Sequence, residues 1–206
     1  WQMNGGYPPN YLYALHAQKG NTLETGLKWN NAVFQGSVAF YRSWITDELL
    51  TVVLQQATST TAAVTATQNA SPTIHQGIEA GGSLRLWKNT AGDKLQLRQA
   101  FTFNDFYYQH SGGGPFAGRQ LPGMPRRTWQ GELQYQQRAG FYAGVDVRYA
   151  SSYFADYANT FKAPAYVLLG ARVGWQAPDQ HWSVYLDLRN LTDRRYVSAT
   201  APGYDM

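Results

Sequence analysis

The chain has 206 residues, no cysteine, 20 glycines and a mean hydropathy of −0.44, so it holds no apolar run long enough for a transmembrane helix, and disulfide frameworks and thiolate metal sites are excluded. Its net charge of +4 is small for the length and its Lys and Arg are scattered, which leaves no clustered basic stripe for nucleic acid. A membrane barrel stays open, because its strands spread apolar residues over alternate positions and keep a window average near zero.

Trp1 to Leu15 reads as a loop carrying Tyr7, Tyr11 and Tyr13. Eight alternating segments follow, most with one consistently apolar parity. Leu23, Thr25, Leu27 and Trp29 oppose Thr22, Glu24, Gly26 and Lys28; Phe34, Gly36, Val38 and Phe40 oppose Gln35, Ser37, Ala39 and Tyr41 in a strand expected to run on through Trp44 towards Leu54. Ile78, Ala80, Gly82, Leu84 and Leu86 form the third apolar face, with Trp87 misplaced on the polar parity. Leu95, Leu97, Phe101 and Phe103 form the fourth, with Gln99 as an exception. Trp129, Leu133 and Tyr135 mark the fifth, and Phe141, Ala143, Val145, Val147 and Tyr149 the sixth. Val167, Leu169, Ala171, Val173 and Trp175, then Val184, Leu186 and Leu188, complete the set.

Alternation alone also fits a soluble sandwich with a wet face. Loop lengths separate the two. Short connections (Asn30 to Ala32, Asn89 to Asp93, Arg138 to Gly140, Ala177 to Gln180) alternate with long ones (Gln55 to Ala70, Gln109 to Gly123, Tyr157 to Lys162), as periplasmic turns and extracellular loops do in outer-membrane barrels. Trp29, Phe34, Tyr135, Phe141, Trp175 and Trp182 fall on the apolar parity beside the short turns, where an interfacial aromatic girdle belongs. The polar parity carries Glu24, Glu79, Arg85, Arg98, Glu132, Asp146, Arg148, Arg172, Asp187 and Arg189, expected to pair across strands or to hold a lumen-filling domain.

Chemistry is sparse. Gly113 to Arg119 has the glycine spacing of a phosphate loop, but Arg119 stands where Lys is needed and no helix pattern follows. His16, His75, His110 and His181 are too far apart to suggest a metal site, so none is assigned, and no catalytic residue is assigned either. The long loops are aromatic. Tyr107, Tyr108 and His110, with Tyr153, Tyr157 and Arg119, are the candidates for ligand contact, because rigid rings give a large grip at low entropic cost. Arg126-Arg127 and Arg194-Arg195 lie near outer loops and suit an anionic chelate or lipopolysaccharide phosphates.

Three segments carry a family resemblance. Asn190-Leu191-Thr192-Asp193-Arg194-Arg195-Tyr196 resembles a penultimate-strand signature, and Gln18 to Lys28 and Thr73 to Gly81 resemble two strand segments of the same family. The chain is similar to the TonB-dependent outer-membrane receptors. That resemblance implies an all-β, antiparallel transmembrane barrel, of which residues 1–206 would supply about eight of about 22 strands, with the plug domain, its TonB box and the last strand lying outside this sequence. It further implies a multi-pass protein of the Gram-negative outer membrane that takes up a ferric siderophore or similar chelate. Uptake would be energised through the TonB complex without a cofactor, and outer-membrane lipid and lipopolysaccharide would surround the wall. Haem, cobalamin, copper or sugar remain open as cargo. A passive porin or adhesin barrel is the rival reading, and a lipid hydrolase a remote one, since Ser71 and His75 form no lipid-facing dyad.

Overall fold

The computed structural model describes residues 15–55, 58–62, 64–70, 72–110 and 116–200. Tyr7, Tyr11, Tyr13, Ser71 and residues 113–115 of the glycine-rich segment therefore lie outside the described residues. The strands are β1 (Lys19–Asn30), β2 (Phe34–Thr46), β3 (Leu49–Gln55), β4 (Val64–Asn69), β5 (Thr73–Lys88), β6 (Lys94–Tyr108), β7 (Arg127–Gln136), β8 (Phe141–Ala150), β9 (Tyr153–Phe154), β10 (Lys162–Ala163), β11 (Tyr166–Gln176) and β12 (Ser183–Leu188). Eight of them form one antiparallel sheet in the order β1-β2-β5-β6-β7-β8-β11-β12, and they are the eight expected from alternation.

Register turns alternation into two faces. One row runs Leu27, Val38, Ala80, Phe101, Trp129, Tyr149, Val167 across seven strands; the next runs Lys28, Ser37, Gly81, Ala100, Gln130, Arg148, Leu168. The first face leaves large apolar side chains uncovered, with Leu27 at 75% and Val145 at 54% exposure. An apolar face of this extent has no stable place in water and suits the hydrocarbon of a bilayer. The sheet is one layer thick, so nearly all the buried apolar residues, among them Ile74, Tyr108, Tyr153, Tyr157 and Ala163, lie at its long-loop end.

Two misfits in the alternation find their cause. A bulge between Arg85 and Trp87 sets Trp87 opposite Leu95 instead of Lys94. The inserted residue, Leu86, shifts the parity, and Trp87 joins the outward aromatic belt rather than the polar face. Gln99 faces outward but accepts a hydrogen bond from Trp129 Nε1 at 3.0 Å, so its amide oxygen is not left unpaired in the apolar layer.

Two expectations about β2 and its loop are corrected. The strand stops at Thr46, because Asp47 takes a left-handed φ of 54°, and Leu49–Gln55 turns away into a hairpin with β4. Asn69 holds its base: its Nδ2 donates to the Asp47 carbonyl at 2.7 Å, and Ala70 N donates to Glu48 O. The expected long loop from Gln55 to Ala70 is thus half strand.

At the other end the short turns are stitched together. Asp93 Oδ1 accepts from Arg138 N at 2.9 Å, Ala139 O from Trp175 Nε1 at 3.0 Å, and Gly140 O from Gln176 N at 3.0 Å. Gly140 takes a φ of 102°, and a Cβ there would come within 2.0 Å of Gln176 O, so only glycine fits this seam.

Candidate functional site

The long connections gather into one platform at the end of the sheet opposite the short turns. Its nucleus is Tyr108 and Tyr157, with Leu50, Ala66, Ala70, Phe116 and Leu121 packed against them. These residues come from three different loops. Tyr108 and Phe116 lie 5.8 Å apart, as do Phe116 and Tyr157, within the range of favourable ring contacts.

Backbone-directed side chains tie the loops to one another. Asn159 Oδ1 accepts from Gln120 N at 2.8 Å while its Nδ2 donates to Gln120 O at 2.9 Å, which joins the β8–β11 loop to the β6–β7 loop. Gly123 N donates to Phe154 O at 2.8 Å, and the Arg119 guanidinium donates to the Ala158 carbonyl. Asp156 closes its own loop, its carboxylate accepting from Thr160 N, Thr160 Oγ1 and Phe161 N. Burial pushes the Asp156 carboxyl up, but these hydrogen bonds outweigh it and hold the group below its ordinary value.

The six candidate contact residues do not form one cluster. Tyr108, Tyr153 and Tyr157 are buried, and their rings build the platform instead of facing its surface. Tyr107 lies on the opposite side of the strand from Tyr108, in register with Ile74 on the outward parity and bridged to Gln120. The adjacent trio of Tyr107, Tyr108 and His110 therefore splits, since neighbouring residues in a strand point to opposite faces. His110 is exposed, its ring set against Gly118, where a Cβ would come within 2.4 Å of Nε2. Arg119 is exposed beside it.

Beneath the β3–β4 hairpin, Glu48 and Thr73 are buried and joined at 2.5 Å through Thr73 Oγ1, and His75 Nε2 lies 3.4 Å from Glu48 Oε1. The His75 ring stacks on Phe106 at 4.3 Å. Burial raises the Glu48 carboxyl, yet the bonds from His75 and Thr73 and the nearby His75 prevail and leave it below its ordinary value. Sequence reading missed Glu48, Asn69, Asp156 and Asn159; only the Asp–Asn spacing of residues 156–159 gave a local signal of a side-chain-capped turn.

The signature segment is a turn with a mechanism. Asn190 and Asp193 take left-handed φ values of 52° and 47°, which Asn and Asp tolerate better than other residues with a Cβ. Asn190 Oδ1 accepts from Arg194 N at 2.9 Å and its Nδ2 donates to Arg194 O at 3.2 Å. Leu191 N donates to Leu169 O, and Tyr196 packs on Tyr166 at 4.7 Å, so the turn is fastened to the edge of β11.

Comparison with known proteins agrees with this architecture. The ferrioxamine B receptor of Salmonella typhimurium is 30% identical over 114 residues, 52% of this chain and 16% of that protein. The ferrioxamine receptor of Yersinia enterocolitica is 27% identical over 119 residues, 54% of this chain and 16% of that protein. Among solved structures, the ferric yersiniabactin uptake receptor of Yersinia pestis matches with a TM-score of 0.68 and 19% identity, covering 87% of this chain and 26% of that one. A copper transporter matches with a TM-score of 0.69 and 16% identity over 91% of this chain and 27% of that one; at these identities the likeness is one of fold. The chain thus spans about a sixth of the length of its curated relatives. The family described as TonB dependent receptor-like, beta-barrel, matches residues 1–191, and the chain belongs to that family of transport receptors.

Proposed function

We propose that this chain forms part of the wall and outer platform of an outer-membrane receptor that takes up a ferric siderophore, of the ferrioxamine kind in the first instance, driven through TonB. The observation that carries the cargo class is the 30% identity with a ferrioxamine B receptor. The apolar outward face supports the membrane setting. His110 and Arg119 are the ligand-facing groups, with Tyr107 at the outer edge, and Tyr108, Tyr153 and Tyr157 hold the surface that presents them.

Lipopolysaccharide is the proposed neighbour of the outer rim. On the outward face, Arg42, Gln76 and Asp105 stand in one polar row between the Phe40–Ile78–Phe103 row and the Trp44–Ile74–Tyr107 row, and Arg126 reaches Asp105 at 2.6 Å. Arg42 is eight residues above Phe34 on β2. At about 3.3 Å per residue and a tilt of about 40°, that is roughly 20 Å above the aromatic belt, close to the upper edge of a barrel's apolar band. Arginines at that height suit anionic lipid headgroups.

The test uses the full-length protein in a siderophore-deficient strain, with and without functional TonB. Radio-iron-loaded ferrioxamine B accumulates only when receptor and TonB are both present. Absence of uptake at normal surface abundance, or uptake indifferent to TonB, overturns the reading.

A further inference from the structure

On the luminal face three pairs of opposite charge meet at mid-height, whereas the cations clustered at the inner mouth meet no acid. Arg98 lies 3.5 Å from Glu132, Arg148 3.6 Å from Asp146, and Arg172 3.2 Å from Asp187. Nearer the short turns, Arg85, Lys88, Lys94 and Arg138 line one cleft of about 450 Å³ with no Asp or Glu in its lining. None of the four cationic groups has an ion-pair partner among the described residues.

The fold brings these cations together deliberately. Register sets Lys88 directly opposite Lys94, a like-charge pair that opposes strand pairing unless an anion lies near it. The bulge is responsible. Arg85 stands on the luminal parity opposite Gln96, and were Leu86 paired as an ordinary ladder residue the continuing alternation would send Lys88 outward into lipid. The Arg138 stem rests on Gly92, where a Cβ would lie 3.3 Å from Cδ. Asp93 and Asp179 belong to the adjoining turns and not to the lining: Asp93 accepts from Asn89 Nδ2 and from the Arg138 backbone N, both at 2.9 Å, and Asp179 lies 3.0 Å from His181 Nδ1.

We propose that this inner-mouth cleft is a binding site for a multiply charged oxyanion, supplied either by clustered acidic side chains of polypeptide lying in the lumen or by a free polycarboxylate. Two guanidinium forks and two ammonium groups around one cleft match clustered carboxylate oxygens. The inference rests on the luminal assignment of this face and is independent of which cargo the receptor carries.

The test is made on purified full-length receptor in detergent at low ionic strength, with heat-modifiable electrophoretic mobility as the check on barrel integrity. One arm is zero-length carbodiimide coupling, with peptide mass spectrometry reading carboxyl cross-links at Lys88 and Lys94. The other is equilibrium binding of labelled citrate. Cross-links to an acidic segment without citrate binding identify the polypeptide source, and saturable citrate binding without cross-links identifies a free anion. The double variant Arg85→Gln/Arg138→Gln keeps both lysines as reporters and lowers the positive signal by about tenfold or more. Arg98→Gln, outside the cleft, leaves it unchanged. Failure of both arms in the wild type, or equal loss in Arg98→Gln, overturns the proposal, and ferrioxamine uptake measured on the same variants reports separately on the cargo reading.

Discussion

Asn159 offers the sharpest perturbation of the outer platform. Its side chain makes two hydrogen bonds to the Gln120 backbone, at 2.8 and 2.9 Å, and its own backbone sits at a φ of 58°. Asn159→Ala removes both bonds, each contributing about 0.5–1.5 kcal/mol net, and adds about 1 kcal/mol for alanine in the left-handed region. The sum is about 2–4 kcal/mol of local stability. Asn159→Gly removes the same bonds and relieves the backbone, so it costs about 1–3 kcal/mol. Hydrogen exchange on the full-length receptor reads the difference directly at the Gln120 amide. Since about 1.4 kcal/mol is a factor of ten, exchange there accelerates by roughly 30-fold or more in the alanine variant and less in the glycine variant, while amides of β7 and β8 keep their protection. Unchanged exchange at Gln120 in both variants refutes the account of a loop–loop weld, and equal acceleration in both refutes the backbone part of it.

Three further outcomes follow. Val147→Arg places a charge among Leu169 and Gly131 on the outward face and costs about 2–4 kcal/mol in a folding titration into bilayers, against little for Gln130→Arg on the luminal side. Tyr108→Ala hollows the platform nucleus, where the ring is 1% exposed; a loss of about 3–5 kcal/mol appears as protease cleavage in residues 116–124, whereas His110→Ala leaves cleavage unchanged and lowers siderophore affinity. The depressed Asp156 carboxyl makes the β8–β11 loop acid-sensitive. Because the folded value lies below the unfolded one, its contribution is complete above about pH 4 and is lost as pH falls through the folded value. Exchange at Thr160 and Phe161, corrected for intrinsic rates, accelerates below about pH 4 in the wild type, and this step is absent in Asp156→Asn.

The eight wall strands were legible because a sheet in lipid on one side and a polar lumen on the other enforces a strict period of two, and nothing else in the chain needs to be known. That same rule fails where a residue is inserted. Trp87 read as misplaced because parity counts residues without seeing that Leu86 has no partner on β6. The break after Thr46 was hidden for a related reason. It depends on Asn69, more than twenty residues away, bonding the Asp47 carbonyl. The aromatic loops were visible as composition, but which rings are buried is decided by packing among three loops far apart in sequence, so Tyr108 and Tyr157 looked like contact residues and are the nucleus. The signature was legible as a string of residue types; its left-handed turn at Asn190 and Asp193 supplies the reason for those types.

In the proposed receptor, capture on such a platform differs from capture by loose loops. Ordering a loop around a ligand costs about 0.5–1.5 kcal/mol for each rotamer-rich side chain immobilised, and a loop already fixed by Tyr108, Phe116, Asp156 and Asn159 has met that cost in folding. Affinity then depends on the few exposed groups the platform presents, and a change of cargo needs only those to vary while the nucleus stays. The wall beneath obeys a separate constraint, since each residue there must satisfy lipid or lumen according to its parity. Leu86 shows the two demands meeting at one position. Because Leu86 bulges out of the ladder near the inner mouth instead of pairing, Trp87 faces lipid and Lys88 the lumen, so the same bulge completes the aromatic belt and assembles the basic cleft.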